Sequence, residues 1–207
     1  MPIMKAIFLR LGKMYSLYID TSTKYLCIGL AKDYKVIYKY QEEAIRKQSE
    51  LTIPKLKEMI DKTGVSLNEV DEVCVTIGPG SFTGIRIGMG IAKVLASLNN
   101  IKLKAISSLN AFSNPGKHMV ILDAKANRVY LGIYNDNVNV IDETVVEIDT
   151  FKEMMKKYPD YDVLLDSDLI NLKSPTIDVI ENMNRIAQNV EPIANVDTLV
   201  PIYLKER

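Results

Sequence analysis

The loop from Gly78 to Gly84 is the segment of the sequence best suited to chemistry, because glycines before a helix let backbone N–H groups converge on an anion. Its candidate anion-binding residues are Gly78, Gly80, Ser81 and Thr83. The loop is not a Walker loop, since no Lys-Ser or Lys-Thr pair follows Gly84, and its glycine spacing misses the dinucleotide fingerprint. A tight turn with close packing is the alternative, and the residues alone leave both interpretations open.

Two aspartates, each at the end of an apolar strand, are the other chemical candidates. Asp20 and Asp123 would approach each other if their hairpins packed symmetrically, and a carboxylate pair can hold Mg²⁺ in a phosphate cleft. His118 is the only histidine, which leaves too few ligands for a His/Cys metal site and no motif for a Ser-His-Asp triad. We interpret His118 as exposed or incidental and Cys27 and Cys74 as reduced core residues. We therefore predict no catalytic residue and no metal site.

The charge balance argues against a stand-alone nucleic-acid binder. The 207 residues include 26 Lys and Arg and 26 Asp and Glu, whereas phosphate binding relies on an excess of basic residues. Hydrophobic residues make up 47% and charged residues 25%, as in folded globular proteins. No apolar run reaches the ~18–20 residues of a membrane span and no signal-peptide pattern is present, so we expect a cytoplasmic protein without membrane contact. Residues 1–13 are basic and are expected to lie outside the fold.

An internal repeat indicates a duplicated α/β architecture. An apolar strand ending in aspartate, a polar turn and a strand with an inset glycine occur twice, so that Asp20 matches Asp123 and Gly29 matches Gly132 at a constant offset of 103 residues. Strands and helices alternate around both copies. We predict one subdomain over 14–110 and a second over 111–207. The first contains the glycine loop and the two helices, described below, that we predict to form a partner interface.

The helix predicted after the glycine loop carries a stripe of small side chains, which are Gly84, Gly88, Ala92 and Ala96. Glycine in a helix costs ~1 kcal/mol relative to alanine, so such a stripe indicates that another backbone approaches closely, either the chain's own sheet or a partner helix. The opposite side carries Ile87, Ile91, Val94, Leu95 and Leu98, which we expect to cover the sheet. The small residues then face a partner, and Gly88→Arg is expected to abolish pairing with little change in the fold.

Two further helices are predicted from periodicity and capping residues. The first covers about 49–63, with Ser49 as its N-cap, a kink at Pro54, and an apolar face of Ile53, Leu56, Met59 and Ile60. The second, near the C-terminus, is expected to begin at Ser174 as its N-cap, with Pro175 in its first position.

Several motifs together resemble the TsaB (YeaZ) family, the accessory subunits of the bacterial tRNA threonylcarbamoyladenosine machinery. They are Asp20-Thr21-Ser22, the segment from Gly78 through Gly88, Ser107-Ser108-Leu109, Leu122-Asp123-Ala124-Lys125 with Val129-Tyr130, and Pro201-Ile202-Tyr203-Leu204. The resemblance runs from about Met14 to the C-terminus. It implies an actin-like ATPase (ribonuclease H-like) fold with two duplicated subdomains.

The resemblance also implies a non-catalytic scaffold that dimerises with a catalytic paralogue, which transfers a threonylcarbamoyl group to the adenosine beside the anticodon of tRNA. The implied partner interface consists of the helices at 49–63 and 83–98, with Ile53, Leu56, Met59, Ile60, Gly84, Gly88, Ala92 and Ala96 as its residues. A small ATPase subunit and a second copy of this chain are further expected partners, and tRNA is expected to be contacted only indirectly. No cofactor is expected in this subunit, and a nucleotide at the junction with the paralogue is left open.

One departure from the family pattern weakens a metallopeptidase interpretation, because Gln48-Ser49-Glu50 stands where family members commonly have His-Ser-Glu. The remaining alternative is a nucleotide-binding phosphotransferase or ATPase of the actin-like fold. Such an enzyme would place Asp20, Asp123 and the loop amides around Mg-ATP.

Overall fold

Two mixed β-sheets form the framework of the protein, in a computed structural model that describes residues 13–99, 101–165, 170, 172 and 174–204. The first sheet has the order β3-β2-β1-β4-β5 and consists of β1 (Tyr15–Asp20), β2 (Tyr25–Lys32), β3 (Lys35–Glu43), β4 (Glu72–Thr76) and β5 (Lys102–Ile106). The second has the order β8-β7-β6-β9 and consists of β6 (Lys117–Lys125), β7 (Arg128–Asn135), β8 (Val138–Glu147) and β9 (Asp162–Leu165). Apart from Lys13, the predicted N-terminal extension lies outside the described residues.

Five α-helices are found in the described part of the chain: α1 (Gln48–Thr63), α2 (Phe82–Asn99), α3 (Ser108–Ala111), α4 (Ile148–Lys157) and α5 (Val179–Ala187). Short 3₁₀ turns span Leu67–Glu69 and Val196–Thr198. None of these helices combines the length and the apolar character needed to cross a lipid bilayer.

The two sheets share one topology, which confirms the predicted duplication. In the first, β2 lies antiparallel between β1 and β3, and β4 pairs parallel with β1. In the second, β7 lies antiparallel between β6 and β8, and β9 pairs parallel with β6. A helix connects the third strand to the parallel strand in both copies, α1 in one and α4 in the other. The 103-residue repeat in the sequence is therefore a repeat of a complete four-strand unit.

Helix α5 lies between the two sheets. Its side chains Ile180 and Met183 share a buried cluster with Tyr18 of the first sheet and Leu122 of the second. Gly29 provides the space for this contact, because a Cβ atom there would lie 2.3 Å from the Ile180 side chain. The repeat glycine of the first hairpin thus serves the packing of the last helix.

The predicted start of this last helix is wrong by several residues. Ser174 and Pro175 precede the helix, which begins at Val179. Asp178 is its N-cap, and the Asp178 side chain accepts a hydrogen bond from the Glu181 N–H at 3.1 Å. An aspartate satisfies a free helix amide at least as well as a serine does, and the sequence offers both.

The C-terminal segment returns to the first sheet, although the predicted boundary assigned it to the second subdomain. The Ile193 N–H donates to the Leu103 carbonyl and the Ile202 N–H to the Ile77 carbonyl, both at 2.7 Å. Leu199, 9% exposed, belongs to the core cluster of the first sheet. The first sheet is therefore completed by residues from both ends of the described chain.

A buried ion pair ties the end of α5 to the first sheet. Lys104 and Glu72 are 5% and 3% exposed, and their charged groups are 2.8 Å apart. The Lys104 ammonium also donates to the Ala187 carbonyl at 2.7 Å, and the Ser16 hydroxyl donates to Glu72 at 2.7 Å. Burial alone lowers the pKa of Lys104, but the hydrogen bond and charge of Glu72 outweigh burial and raise this pKa above its ordinary value.

Candidate functional site

The Asp20-Thr21-Ser22 turn after β1 interlocks with the glycine loop. The Ser81 N–H donates to the Ser22 carbonyl at 2.7 Å. A Cβ atom on Gly80 would lie 2.2 Å from the Ser22 carbonyl oxygen, and one on Gly84 would lie 1.9 Å from that of Thr21. Two glycines of the motif are therefore required because the two backbones touch.

The hydroxyl of Thr21 is inserted into the first turns of α2. It donates to the Gly84 carbonyl at 2.6 Å and accepts from the Gly88 N–H at 3.1 Å, so one side chain bridges a carbonyl and an amide four residues apart. These bonds fix the N-terminal half of α2 relative to the end of β1.

The glycine loop is closed by bonds within the chain. The Gly78 N–H donates to the Ser108 hydroxyl at 3.1 Å and the Gly84 N–H to the Ser81 hydroxyl at 3.2 Å, while Pro79 has no N–H to offer. Gly78 and Gly80 have positive φ angles of 107° and 151°, which suit glycine. The predicted anion residues Ser81 and Thr83 are exposed at the start of α2. This arrangement fits a structural junction better than a phosphate cradle.

The two candidate aspartates have separate surroundings. Asp20 is fully buried, and one of its oxygens accepts from the Ser22 N–H, the Ser22 hydroxyl and the Thr76 hydroxyl at 3.0, 2.6 and 2.5 Å. Its other oxygen has no hydrogen-bond partner, and burial raises the pKa of the Asp20 carboxyl. Asp123 accepts instead from the backbone and the ammonium of Lys125. Among the described residues, no group of three or more His, Cys, Asp or Glu side chains is arranged to hold a metal ion.

The remaining reactive side chains are structural. His118 is 6% exposed and its Nε2 lies 2.8 Å from the Pro115 carbonyl oxygen, so of the two predicted alternatives, exposed or incidental, the exposed one is wrong. It is buried because it lies opposite Tyr134, on the side of the second sheet that faces α5. Cys27 and Cys74 are free and buried, as predicted, and burial raises the pKa of both thiols.

The small side chains of α2 face the chain's own sheet, which overturns their assignment to a partner interface. Gly84 contacts the Thr21 backbone, and a Cβ atom on Gly88 would lie 2.6 Å from the Thr21 hydroxyl and 3.4 Å from Val75. Ala92 and Ala96 are 0% and 6% exposed. The Thr21 turn approaches α2 so closely that no larger residue fits at Gly84 or Gly88. The Gly88→Arg substitution would therefore disrupt the core rather than a partner contact.

The other side of α2 was expected to cover the sheet, and this holds for Leu95, which is 8% exposed in the core of the first sheet. The rest of this side is half-buried or exposed and borders an open groove. Val94 and Leu98 are 56% and 76% exposed, and Ile87 and Ile91 are half-buried. The groove between α1 and α2 has a volume of about 350 Å³ and is lined by Ile53, Leu56, Lys57, Ile60, Leu67, Gly90, Ile91, Val94 and Leu95. Its lining is apolar except for Lys57. We call this surface the α1–α2 groove.

The predicted interface residues of α1 divide between this groove and the core. Ile53 is 58% exposed in the groove, and Ile60 and the largely buried Leu56 also line it. Met59 is fully buried in the core of the first sheet and cannot touch a partner. The sequence analysis did not predict Lys57, Gly90 and Leu67 as residues of this surface. The signal that could have indicated a second contact surface was that α2 has apolar or small residues on both sides.

Comparison with solved structures defines the class of protein. YeaZ from Pseudomonas aeruginosa superimposes with a TM-score of 0.71 at 21% identity, covering 92% of this chain and 100% of that one. A second P. aeruginosa structure, described as similar to peptidase YEAZ, gives a TM-score of 0.72. Together with the duplicated sheets, this likeness assigns the chain the actin-like, ribonuclease H-like ATPase fold.

Sequence relatives then identify the family. The family model described as "TsaD: tRNA N6-adenosine threonylcarbamoyltransferase" matches residues 36–193. The "tRNA threonylcarbamoyladenosine biosynthesis protein TsaB" of Bacillus subtilis is 31% identical over 153 residues, covering 70% of this chain and 67% of that protein. The TsaB of Buchnera aphidicola is 26% identical over 200 residues, covering 91% and 92%. The chain belongs to the TsaB/YeaZ family and has a role in tRNA threonylcarbamoyladenosine biosynthesis.

Proposed function

We propose that this chain is a non-catalytic subunit that binds a catalytic paralogue through the α1–α2 groove and so supports threonylcarbamoyl transfer to the adenosine beside the tRNA anticodon. The observation that carries the proposal is the groove itself. Ile53, Val94 and Leu98 are large apolar side chains that are each more than half exposed on adjacent helices. An apolar surface of this kind marks a protein interaction site.

The non-catalytic part of the proposal is supported by the surroundings of the polar residues. Asp20 is sealed beneath the Thr21–Ser22 turn, and the only histidine is buried against a backbone carbonyl. Three amides of the glycine loop, those of Gly78, Ser81 and Gly84, donate to acceptors within the chain. We further propose that the small ATPase of the same machinery recognises the assembled pair, and that tRNA is held mainly by the paralogue, since this chain has a formal net charge of +0.

The pairing is tested by introducing a charge into the groove. Ile53→Glu and Val94→Glu are expected to raise the dissociation constant for the catalytic paralogue at least about 30-fold, the size of an interface hot spot. Val138→Glu is the matched control, because Val138 is 69% exposed on β8 of the second sheet. Titration calorimetry gives the affinities and circular dichroism checks the fold. Wild-type affinity in both groove variants would disprove this interface.

The scaffold role is tested by a transfer assay on the reconstituted complex. Omitting this chain is expected to abolish or strongly reduce tRNA modification, whereas Asp123→Asn should leave the rate unchanged. Titration of the isolated chain with Mg-ATP tests the alternative function. Micromolar binding accompanied by phosphate release would identify an ATPase and overturn the proposal.

A further inference from the structure

Three side chains stack at the N-terminal end of α2. The rings of Phe82 and Tyr203 are 5.8 Å apart with an interplanar angle of 26°, and the guanidinium carbon of Arg86 lies 3.7 Å from the centre of the Phe82 ring. Phe82 is 54% and Tyr203 51% exposed, and Arg86 is exposed as well. Stacking on an aromatic ring holds a guanidinium in place while its N–H groups stay available. We call these three residues the aromatic–arginine stack.

The aromatic–arginine stack is continuous with the α1–α2 groove. Phe82, Arg86, Gly90 and Val94 recur every four residues on α2, and all four are exposed. Gly90 and Val94 line the groove. A protein that fills the groove therefore passes beside the guanidinium of Arg86.

Among the residues that the structure describes, Arg86 has no acidic partner. Helix α2 contains no Asp or Glu in its 18 residues, and the ion pairs of the described residues do not include Arg86. An unpaired guanidinium that is held in place by a ring favours a negatively charged group from another molecule.

We propose that Arg86, positioned by Phe82 and Tyr203, binds a carboxylate side chain of the protein that fills the groove, and that this contact selects the partner. The inference rests on the proposed function, and the occupant is the catalytic paralogue, presenting an Asp or Glu next to an apolar helix face. A planar guanidinium and a carboxylate form two parallel hydrogen bonds. Phosphate recognition is less suited to this place, because the surrounding surface is aromatic and apolar and nucleic-acid affinity is built from several cations.

The experiment compares variants of the stack with groove variants, using the catalytic paralogue as the titrant. Arg86→Ala is expected to weaken binding about 10- to 100-fold, as for the loss of a charge-assisted hydrogen bond. Arg86→Lys should fall between this variant and wild type, because lysine keeps the charge but not the planar fork. Phe82→Leu keeps Arg86 but removes the ring on which it stacks, and should also weaken binding. Lys157→Ala, on α4 of the second sheet, is the control for the loss of one positive charge.

Salt dependence separates a charge contact from a packing effect. The dissociation constant of the wild type is expected to rise with salt, and that of Arg86→Ala to rise less steeply. If Arg86→Ala binds like wild type while Ile53→Glu does not, the inference is wrong and the proposed function stands. If neither variant weakens binding, both are wrong. If Arg86→Ala changes only self-association in sedimentation, or only the affinity for tRNA, the occupant is a second copy or an RNA, and the inference is overturned.

Discussion

A single oxygen of Asp20 accepts every hydrogen bond that this carboxyl group receives, while the other oxygen is buried without a partner. Removing a carboxylate from water disfavours its charged form, and this burial outweighs the hydrogen bonds that Asp20 accepts and raises the Asp20 pKa. The hydrogen bonds nevertheless connect the ends of β1 and β4. Asp20 thus acts as a structural link whose ionisation opposes folding.

The first prediction concerns the pH dependence of this link. Because the pKa of Asp20 is higher in the folded chain than the ordinary value of an aspartate, wild type should lose stability relative to Asp20→Asn as the pH rises through the folded-state pKa. Urea unfolding of both proteins from about pH 4 to about pH 8 measures the difference, and the other carboxylates cancel in the comparison. If the stability of wild type instead increases relative to that of Asp20→Asn as the pH rises, the Asp20 pKa is not raised in the folded chain.

The second prediction concerns the buried ion pair. Lys104→Met leaves Glu72 charged and buried without its cation, so we expect a loss of about 3–5 kcal/mol in the free energy of unfolding. The double variant with Glu72→Leu should recover most of this loss, and Lys102→Met, exposed on the same strand, should stay within about 0.5 kcal/mol of wild type. Denaturant titration of wild type and the three variants measures these free energies of unfolding. Since the Lys104 pKa is raised in the folded chain, the contribution of the Lys104 charge to stability is present at neutral pH and is lost as the pH rises from 10.5 through the folded-state pKa.

At the scale of elements, helix α2 uses its glycines on opposite sides. Gly84 and Gly88 face the Thr21 turn, whereas a Cβ atom on Gly90 would meet nothing within 4 Å. The first two glycines permit a close approach that a side chain would block. Gly90 lines the α1–α2 groove, where the chain itself leaves room for a side chain.

This contrast gives a matched pair of substitutions. Gly84→Ala should destabilise the protein by about 2–3 kcal/mol, because its methyl group would collide with the Thr21 carbonyl. Gly90→Ala should stabilise the isolated chain by up to ~1 kcal/mol, since alanine is the better helix former. Thermal unfolding compares the two. Equal effects would show that α2 is not seated on the Thr21 turn as described.

The sequence predicts the elements well and the orientation of α2 poorly, for identifiable reasons. The two predicted strand–turn–strand units are found as β1–β2 and β6–β7, because apolar runs and polar turns mark them clearly. Both sides of α2 are apolar or small, so helical periodicity does not tell which side is buried. The deciding contact is the insertion of Thr21, 63 residues before Gly84, and no local pattern reports such a contact. Asp178 as the cap of α5 was missed because Ser174 offers an equally good local signal.

At the scale of the whole molecule, the two duplicated sheets share a core through α5. Tyr18 donates to Asn184 of α5 at 2.8 Å, and Lys39 of β3 forms an ion pair with Asp178. The cluster around Ile180 and Met183 includes residues of both sheets. The repeat is therefore visible in topology, while the packing joins its two copies.

The shared core predicts a single unfolding transition. Near-ultraviolet circular dichroism, which reports on buried tyrosines in both sheets, and far-ultraviolet circular dichroism should give coincident denaturation curves. Met183→Ala should lower the free energy of unfolding by about 2–5 kcal/mol and shift both curves by the same amount. Met155 is a half-buried methionine on α4, so Met155→Ala should lower the free energy of unfolding by less. Two separated transitions in wild type would show that the sheets unfold independently.

The return of residues 193–202 to the first sheet has a consequence for biosynthesis of the protein itself. The β5 backbone and the Ile77 carbonyl receive their partners from a segment that the ribosome adds long after the strands of the first sheet have emerged. The amino-terminal half of the nascent chain therefore lacks these two backbone partners, at Leu103 and Ile77, until residues 193–202 have been synthesised.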